Sequence, residues 1–324
     1  MKVDPAQAPV SGENGVSTQH LSVAGGLTQF GAYVETLVPG AWSSQRHWHD
    51  HEDEFLFVLE GVATLRDDNG MTDLHPGDAV CWPHGNPNAH HITNRTAAPV
   101  RYLIQGSRVA RDTCRYPDTG RTLINGDTRW KLVEADGTVV REGDLPAELL
   151  NLPPVWGTPF DPATSHPQVF PAADADWQDD PDTAHPILGT GPGPYRYRLI
   201  SDLGGLSQFG AFVEELPPGS RSGRRHWHET EDEMILMLEG EAVLVEDHET
   251  VLVPGDMACW PAGVAVGHRL DNRSHLPARY LVIGTRHQRD RIHYNDHDLI
   301  TEKDGSLRHY FRRDGSRYEQ GPRS

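Results

Sequence analysis

The chain has 324 residues, with 29 Lys and Arg against 47 Asp and Glu, so 29 − 47 gives a formal net charge of −18. So acidic a surface repels phosphate backbones, and no apolar run reaches the roughly 18 residues of a membrane helix; we therefore expect no nucleic-acid partner and no membrane span. The first residues, MKVDPAQAPV, lack the apolar core of a signal peptide, and three cysteines form no even disulfide framework, so we expect a cytoplasmic protein.

An internal repeat organises the chain. Residues 26–40 read GLTQFGAYVETLVPG and residues 205–219 read GLSQFGAFVEELPPG, an offset of 179. RHWHDHEDEFLFVLEG at 46–61 returns as RHWHETEDEMILMLEG at 225–240, and the Pro-Gly-Asp of 76–78 returns at 254–256 with offset 178. The offset changes near Asp67-Asp68-Asn69-Gly70, a hairpin turn signal where single-residue insertions are tolerated. We therefore expect two copies of one domain.

Short apolar runs follow one another in each copy, separated by Gly, Pro and Asp. In chain order they are 55–59, 62–65, 74 and 78–82, and then 234–238, 242–245, 252–253 and 256–260. Such regular short strands predict an all-β barrel or sandwich. No long amphipathic helix is apparent before residue 144.

The composition shifts between the copies, where Pro, Asp and Ala dominate without helical or strand periodicity. We expect a linker or surface strap there. The predicted organisation is a first domain at 1–143, the linker or strap at 144–190 and a second domain at 191–324. Four aromatic residues suggest that the strap is attached to a domain: Trp156, Phe160, Phe170 and Trp177.

The histidines form one chemical pattern that occurs twice. His47 and His49 are separated by one residue, so in a strand both imidazoles share a face. Glu54 follows after an acidic turn and His90 after a Pro-His-Gly turn. Three imidazoles and one carboxylate that converge inside a barrel would suit a divalent transition metal. The second copy repeats the set as His226, His228, Glu233 and His268.

These residues resemble the two motifs of the cupin family. The first motif is a glycine, H-x-H, a glutamate and a further glycine, here from Gly40 to Gly61 and from Gly219 to Gly240. The second is G, five residues, P-x-G, H, three residues and N, here Gly77 to Asn94 and Gly255 to Asn272. The spacing departs from the usual cupin motifs in two places. One is a longer gap before His90, which makes His91 a rival ligand. Arg269 stands at that position in the second copy, which favours His90 and His268.

The resemblance implies a bicupin, with two tandem double-stranded β-helix (jelly-roll) barrels and a metal in each. It implies as ligands His47, His49, Glu54 and His90, and His226, His228, Glu233 and His268. We expect iron first, with Mn, Ni, Zn, Cu or Co as alternatives. The alternative is a barrel that keeps these residues and binds no metal.

Strand alternation also predicts residues that line the two pockets. If His47 points inward, Gln45 does too, and the matching residue of the second copy is Arg224. An inward arginine would attract an anionic group, so we expect the second pocket to accept a carboxylate or enolate. In the alternative, Arg224 bends to the barrel mouth and pairs with an acid there.

Other residues beside the motifs carry weaker expectations. Asp53 and Asp232 could orient a ligand imidazole or lie solvated in a turn. Cys81 and Cys259 are expected as small buried residues, and Trp48 and Trp227 as packing residues that point away from the pocket. Four histidines without a counterpart in the second copy are expected at the surface or in support of the site: His51, His75, His84 and His91.

Three classes of function fit an intact pair of sites. The first is a dioxygenase-type oxidoreductase that acts on a small, metal-chelating, anionic metabolite. The second is a metal-dependent decarboxylase, another lyase or an isomerase. The third is a non-catalytic metal-dependent binding protein. We expect a small-molecule substrate, and either a monomer with a pseudo-twofold pair of barrels or a homo-oligomer.

Overall fold

The computed structural model describes residues 1–180 and 184–319. Residues 181–183 of the predicted linker and 320–324 of the predicted second domain lie outside the described residues. Strands make up 47% and helices 4% of the structure, which confirms the all-β prediction. Only one α-helix, α1 (Leu21–Gly25), occurs among the described residues, together with short 3₁₀ helices at Pro5–Gln7, Ala147–Leu149 and Ala172–Asp174.

The strands of the first half overlap the predicted apolar runs, two of which begin one residue before the observed strand. They are β1 (Lys2–Val3), β2 (Val10–Glu13), β3 (Val16–His20), β4 (Phe30–Leu37), β5 (Trp48–His49), β6 (Glu54–Glu60), β7 (Ala63–Asp67), β8 (Gly70–Leu74), β9 (Ala79–Trp82), β10 (His91–Thr93), β11 (Val100–Ser107), β12 (Thr113–Tyr116), β13 (Arg121–Asn125), β14 (Arg129–Val133) and β15 (Val139–Asp144).

The second half follows the same order after two short strands of the predicted linker. They are β16 (Val169–Phe170), β17 (Gln178–Asp180), β18 (Tyr195–Leu199), β19 (Phe209–Leu216), β20 (His226–His228), β21 (Glu233–Glu239), β22 (Ala242–Val245), β23 (Glu249–Leu252), β24 (Met257–Trp260), β25 (Arg269–Asp271), β26 (Ala278–Thr285), β27 (Arg289–Tyr294), β28 (Leu299–Asp304) and β29 (Leu307–Phe311).

Each repeat is built from one large antiparallel sheet and two smaller ones. The large sheet of the first repeat has the order β16-β9-β6-β11-β4-β3-β2, and that of the second β1-β24-β21-β26-β19-β18-β17. The smaller sheets are β10-β7-β8 and β15-β14-β13-β12-β5, and β23-β22-β25 and β20-β27-β28-β29. The hairpin β7–β8 turns at the predicted Asp67–Gly70 string, with Asp67 opposite Gly70.

Two edge strands exchange between the halves of the chain. β1 pairs with β24 of the second repeat, with Lys2 opposite Ala258. The linker strand β16 pairs with β9 of the first repeat, with Val169 opposite Val80. An unpaired edge exposes a row of backbone donors and acceptors, so each exchange covers an edge with chain from outside that barrel's own repeat.

The described residues form three apolar clusters that hold the molecule together. One lies inside each barrel, between the large sheet and the three-stranded sheet, and includes Leu56 and Ile92 in the first repeat and Ile235 and Leu270 in the second. The third lies between the two large sheets and joins side chains such as Phe55 to Met234. Since both faces of the large sheets are buried, their central strands read as continuous apolar runs.

The linker lies against both repeats through three of the four aromatic residues that were expected to attach it to a domain. Trp156 Nε1 donates to the carbonyl of Gln208 at 3.0 Å, and Phe170 is buried in β16, beside β9. Trp177 lies against the guanidinium groups of Arg196 and Arg279. None of the helices in the described ranges is long and apolar enough to cross a membrane.

Candidate metal centre

Short strands bring the predicted donor groups of the first repeat together at one end of the barrel. His49 lies in β5, Glu54 begins β6, and His47 and His90 form a bridge in which His90 N donates to the His47 carbonyl at 2.9 Å. His90 Nε2 lies 3.0 Å and His49 Nε2 3.8 Å from Glu54 Oε2. Donor atoms of His47, Glu54 and His90 lie within 4.8 Å of one another.

The second repeat reproduces this arrangement. His268 Nε2 lies 3.0 Å and His228 Nε2 3.8 Å from Glu233 Oε2, and His226 bridges His268. Donor atoms of His226, His228 and Glu233 lie within 4.8 Å of one another. Two sets with matching distances, built from different stretches of sequence, show that the spacing of the motifs fixes the geometry.

Hydrogen bonds that the Nδ1 atoms donate to backbone carbonyls direct the Nε2 atoms into the centre. His47 Nδ1 donates to the carbonyl of Gln45 at 2.9 Å, and His226 Nδ1 to that of Arg224 at 2.8 Å. His90 Nδ1 faces the carbonyl of Asn88 at 3.3 Å. With the proton on Nδ1, the Nε2 lone pair of His90 faces a carboxylate oxygen of Glu54, and the two repel unless a cation or proton lies between them. The donor set therefore fits a divalent metal.

A carboxylate that the sequence reasoning missed orients the middle histidine of each set. His49 Nδ1 donates to Asp112 Oδ2, and His228 Nδ1 to Asp290 Oδ2, both at 2.6 Å. Burial alone would lower the pKa of His49, but the charges of Asp112 and Glu54 outweigh it and raise that pKa well above its ordinary value. Carboxylates of this kind fix the tautomer of a metal-binding imidazole. The repeat contained the signal, since Asp112 and Asp290 are related by the offset of 178.

The first histidine of each set is held neutral by its surroundings. Burial lowers the pKa of His47 to about 4 and that of His226 to about 4. A neutral imidazole has a free lone pair, which metal binding requires. Indole rings stack on the last histidine of each set, Trp82 on His90 and Trp260 on His268, at centroid distances of 3.8 and 3.7 Å.

The aspartates that precede the glutamates have a role that neither sequence-based alternative described. Asp53 and Asp232 are fully buried, so they are not solvated turn residues. Asp53 accepts from His84 Nδ1 at 2.6 Å and from the backbone amide of Ser207, in the other repeat, at 2.7 Å. Asp232 accepts from the amide of Thr28, again in the other repeat, at 2.7 Å. Both carboxylates thus join the repeats rather than orient a ligand imidazole.

The predicted pocket residues Gln45 and Arg224 lie away from the cavities that adjoin the histidines. Gln45 is exposed. Arg224 is half-buried, and its Nη2 donates to the carbonyl of Thr190 in the predicted linker. Neither residue lines the cavity beside Glu54 or the one beside Glu233. A role for them in substrate binding stays a prediction.

The cysteines, Trp227 and two of the four unmatched histidines lie where the sequence analysis expected them. Cys81 and Cys259 are fully buried. Trp227 stacks on His293 at 4.2 Å, on the strand next to β20, so it points away from its neighbouring histidines. His84 is buried against Asp53 and supports the contact between the repeats, whereas the side chain of His75 is 65% exposed.

Two small cavities open beside the donor sets. The first, of about 220 Å³, is lined by His49, Glu52, Glu54, Tyr33, Arg108 and Asn125. The second, of about 250 Å³, is lined by His226, His228, Glu231, Glu233, Arg286 and Lys303. A larger cavity of about 560 Å³ lies between the repeats, beside Trp177, and none of the predicted ligands lines it. The chemistry therefore places the candidate sites in the two smaller cavities.

The two centres differ in chemistry despite their common geometry. Cys114 lies opposite His49 in the sheet, and its sulfur lies within 4.8 Å of donor atoms of His47 and His49. The second repeat has Ile292 at this place, opposite His228. In the first cavity, burial and then the charge of Asp112 raise the pKa of Glu52 to about 8. In the second, Lys303 Nζ donates to the equivalent Glu231 at 2.6 Å.

Comparisons with known proteins place these features in a family. The model of the cupin domain matches residues 33–105 and 212–284. A cupin-superfamily sugar phosphate isomerase from Silicibacter pomeroyi is 35% identical over 44% of this chain and 97% of its own, with a TM-score of 0.41. A comparison with curated proteins gave no match.

Two solved structures are similar over most of the chain. Oxalate decarboxylase from Lactobacillus farciminis, in a formate complex, is 18% identical over 88% of this chain and 86% of its own, with a TM-score of 0.53. The putative glyoxylate-induced protein from Pseudomonas aeruginosa is 16% identical over 86% of this chain and 85% of its own, with a TM-score of 0.55. At these identities the likeness shows the fold. The chain belongs to the cupin superfamily and is a bicupin, with two cupin barrels in tandem.

Proposed function

We propose that the protein is a metal-dependent enzyme that acts on a small, anionic, metal-chelating metabolite. The observation that carries the proposal is the pair of matching donor sets, each with its Nε2 atoms turned toward one glutamate. Cavities of about 220 and 250 Å³ lie below the roughly 300–1,000 Å³ of sites for drug-sized ligands, which supports a substrate of a few heavy atoms.

Four residues in each repeat would hold the ion: His47, His49, Glu54 and His90, and His226, His228, Glu233 and His268. A bound divalent metal supplies Lewis acidity or a redox centre. Asp112 and Asp290 keep the middle imidazole in the tautomer that presents Nε2. In the first cavity Leu145, Leu149 and Leu152 form an apolar wall that limits the access of water.

The reaction we propose first is an oxygen-dependent oxidation of the dioxygenase type, with iron as the metal. Imidazole and carboxylate donors suit Fe(II), and a bound iron would supply the redox chemistry that an oxidation by O₂ requires. The chain's part in this reaction is to orient the substrate and to exclude water from the first cavity.

The second candidate is a decarboxylation, lyase or isomerase reaction without O₂, and Glu52 favours it. Burial and then the charge of Asp112 raise the pKa of Glu52, which lines the first cavity, to about 8. A protonated carboxyl at the cavity wall can donate its proton to the carbon from which CO₂ has left. In an isomerisation it can donate to the carbon that gains a hydrogen. In the second cavity Lys303 Nζ lies 2.6 Å from the equivalent Glu231.

Oxygen dependence separates the two reactions. Protein loaded separately with Fe(II) and with Mn(II) is offered small oxo and hydroxy acids, with oxygen uptake followed by electrode and CO₂ release followed under argon. Uptake that matches product formation supports the dioxygenase, whereas product formed under argon refutes it and supports the alternative. Saturable binding without product in either gas would identify a binding protein. His90→Ala and His268→Ala serve as controls that remove one donor from each site.

A further inference from the structure

We propose that Arg108 is the group that binds the carboxylate of the substrate, so that the first repeat, and not the second, selects acidic metabolites. This inference rests on the proposed function and names its substrate class and the repeat that binds it. The anion-binding role that the sequence analysis gave to Arg224 in the second barrel is assigned here to Arg108 in the first.

Arg108 is a buried cation without a carboxylate partner among the described residues. It is 4% exposed and lines the cavity that contains His49 and Glu54. Its Nη1 donates to the carbonyl of Leu27 at 3.3 Å, and its Nη2 faces the hydroxyl groups of Ser22 at 3.4 Å and Tyr33 at 3.2 Å. Its Nε is buried and has no hydrogen-bond partner in the part of the chain that the structure describes.

An arrangement of this kind is costly unless something else supplies the negative charge. A buried charge needs a partner, and a buried N–H without an acceptor adds its own desolvation penalty. All the acceptors of Arg108 are neutral. A ligand carboxylate in the cavity would supply both the missing charge and an acceptor, in the planar geometry that a guanidinium recognises.

In the second repeat, the arginine equivalent to Arg108 has a carboxylate partner within the protein. Arg286 occupies the position of Arg108 at an offset of 178. Its Nη1 and Nη2 donate to the two oxygens of Asp202 at 2.9 and 2.7 Å. At an offset of 179, Val23 stands at the place of Asp202 in the first repeat, and it carries no charge.

The other cation of the second cavity is also paired. Lys303 binds Glu231 at 2.6 Å, and the equivalent residue of the first cavity is the neutral Asn125. In the described lining of the second cavity, both cations that could bind an acidic ligand therefore already have carboxylate partners. The first cavity offers one cation that has none.

The surroundings of Arg108 strengthen its effect on an anion. The side chain of Tyr33 bends back over Gly31, where a Cβ atom would lie 2.5 Å from the tyrosine hydroxyl, so a larger residue at this position would displace the tyrosine ring. The hydroxyl that Gly31 admits is the one that faces Arg108, and the second repeat has Phe212 instead. The apolar wall of Leu145, Leu149 and Leu152 limits water and strengthens a guanidinium–carboxylate contact.

The chemistry favours a monocarboxylate over a phosphate dianion. Glu54 lines the same small cavity, and a dianion would meet its carboxylate there with a single arginine to balance it. A second oxygen on the ligand, such as a neighbouring oxo or hydroxy group, would then be free to reach the metal.

The test measures selection by charge in protein whose second site is disabled. His268→Ala protein is loaded with Co(II), its metal content is determined, and calorimetry and the Co(II) absorption spectrum follow the binding of pyruvate, of the uncharged pyruvamide and of inorganic phosphate. We expect pyruvate to bind more tightly than pyruvamide or phosphate. Arg108→Gln should lower the preference for pyruvate over pyruvamide by roughly tenfold or more without a change in metal content.

Matched variants separate recognition from a structural role. Val23→Asp places a carboxylate at the position of the first repeat that is equivalent to Asp202. It should reduce the preference for pyruvate although Arg108 is still present. Arg108→Lys should keep part of the preference for pyruvate. Arg286→Gln, in the other repeat, is expected to leave pyruvate binding at the first site as it is. A pyruvate preference that survives Arg108→Gln, or tighter binding of pyruvamide or phosphate to the parent protein, would overturn the inference. Failure to bind Co(II) would instead count against the proposed function.

Discussion

Asp53 and Gln208 bind each other reciprocally across the contact between the two repeats. The amide of Gln208 donates to Asp53 Oδ2 at 2.9 Å, and the amide of Asp53 donates to Gln208 Oε1 at 2.9 Å. Glu54 follows Asp53 directly, so the position of a candidate metal ligand depends on a residue of the other barrel. The two centres are therefore built on one shared support.

We expect Asp53→Asn to destabilise the whole chain. The substitution turns an amide donor toward backbone N–H groups that need an acceptor, and a buried unsatisfied donor costs about 1–3 kcal/mol. The free energy of unfolding, measured by urea denaturation, should fall by this amount. Asp127→Asn is the control, since Asp127 pairs with Arg111 at the exposed surface. Equal stability of the two variants would show that Asp53 does not join the repeats in solution.

The carboxylates behind the middle histidines give a prediction for metal affinity. Asp112→Asn keeps the size of the side chain but removes the charge that holds His49 by Nδ1. Loss of such a partner typically weakens metal binding by about 10–100-fold. Competition with a chromophoric chelator should show this loss at the first site with Asp112→Asn and at the second with Asp290→Asn. Unchanged affinities in both variants would argue against imidazole ligation at these positions.

A glutamate inside the second barrel predicts a pH dependence of stability. Burial raises the pKa of Glu214 to about 7 from its ordinary value of 4.5, although Tyr280 donates a hydrogen bond to it. Because the folded pKa is the higher one, this contribution to stability is complete below pH 4.5 and is lost as the pH rises through 7.

We therefore expect Glu214→Gln to flatten the pH profile of the metal-free protein. Its free energy of unfolding should fall less between pH 5 and pH 8 than that of the parent, by about 1–2 kcal/mol. The exposed Glu239 supplies the control Glu239→Gln, which should follow the parent curve. A parallel fall in the Glu214→Gln variant would show that Glu214 does not titrate in this range.

Close packing between the repeats predicts the effect of one added methyl group. A Cβ atom on Gly204 would lie 2.5 Å from both Cβ and Sγ of the buried Cys81. Overpacking of this kind costs about 1–3 kcal/mol. Thermal unfolding should therefore begin at a lower temperature in Gly204→Ala. Gly223→Ala is the matched control because a Cβ there meets nothing within 4 Å, and an equal melting temperature for both would disprove the close contact.

The sequence predicted the parts of the molecule that depend on local spacing. His47 and His49 share a face because strands alternate, and the repeat at a fixed offset identified the matching donors of the second barrel. Asp112 and Arg108 were missed because their roles depend on the path of the chain after β11. The partner that distinguishes Arg286 from Arg108 is Asp202, 84 residues earlier, and only the packed fold brings the two together. The exchange of β1 and β16 likewise depends on how the two barrels pack.

The most direct test of the account is the metal content of protein purified without an affinity tag and without added metal. Elemental analysis should find two equivalents of divalent transition metal per chain, falling to one in His90→Ala and in His268→Ala. If the parent protein holds no metal as purified and takes up none from Fe(II) or Mn(II) solutions at neutral pH, the two donor sets are not metal centres.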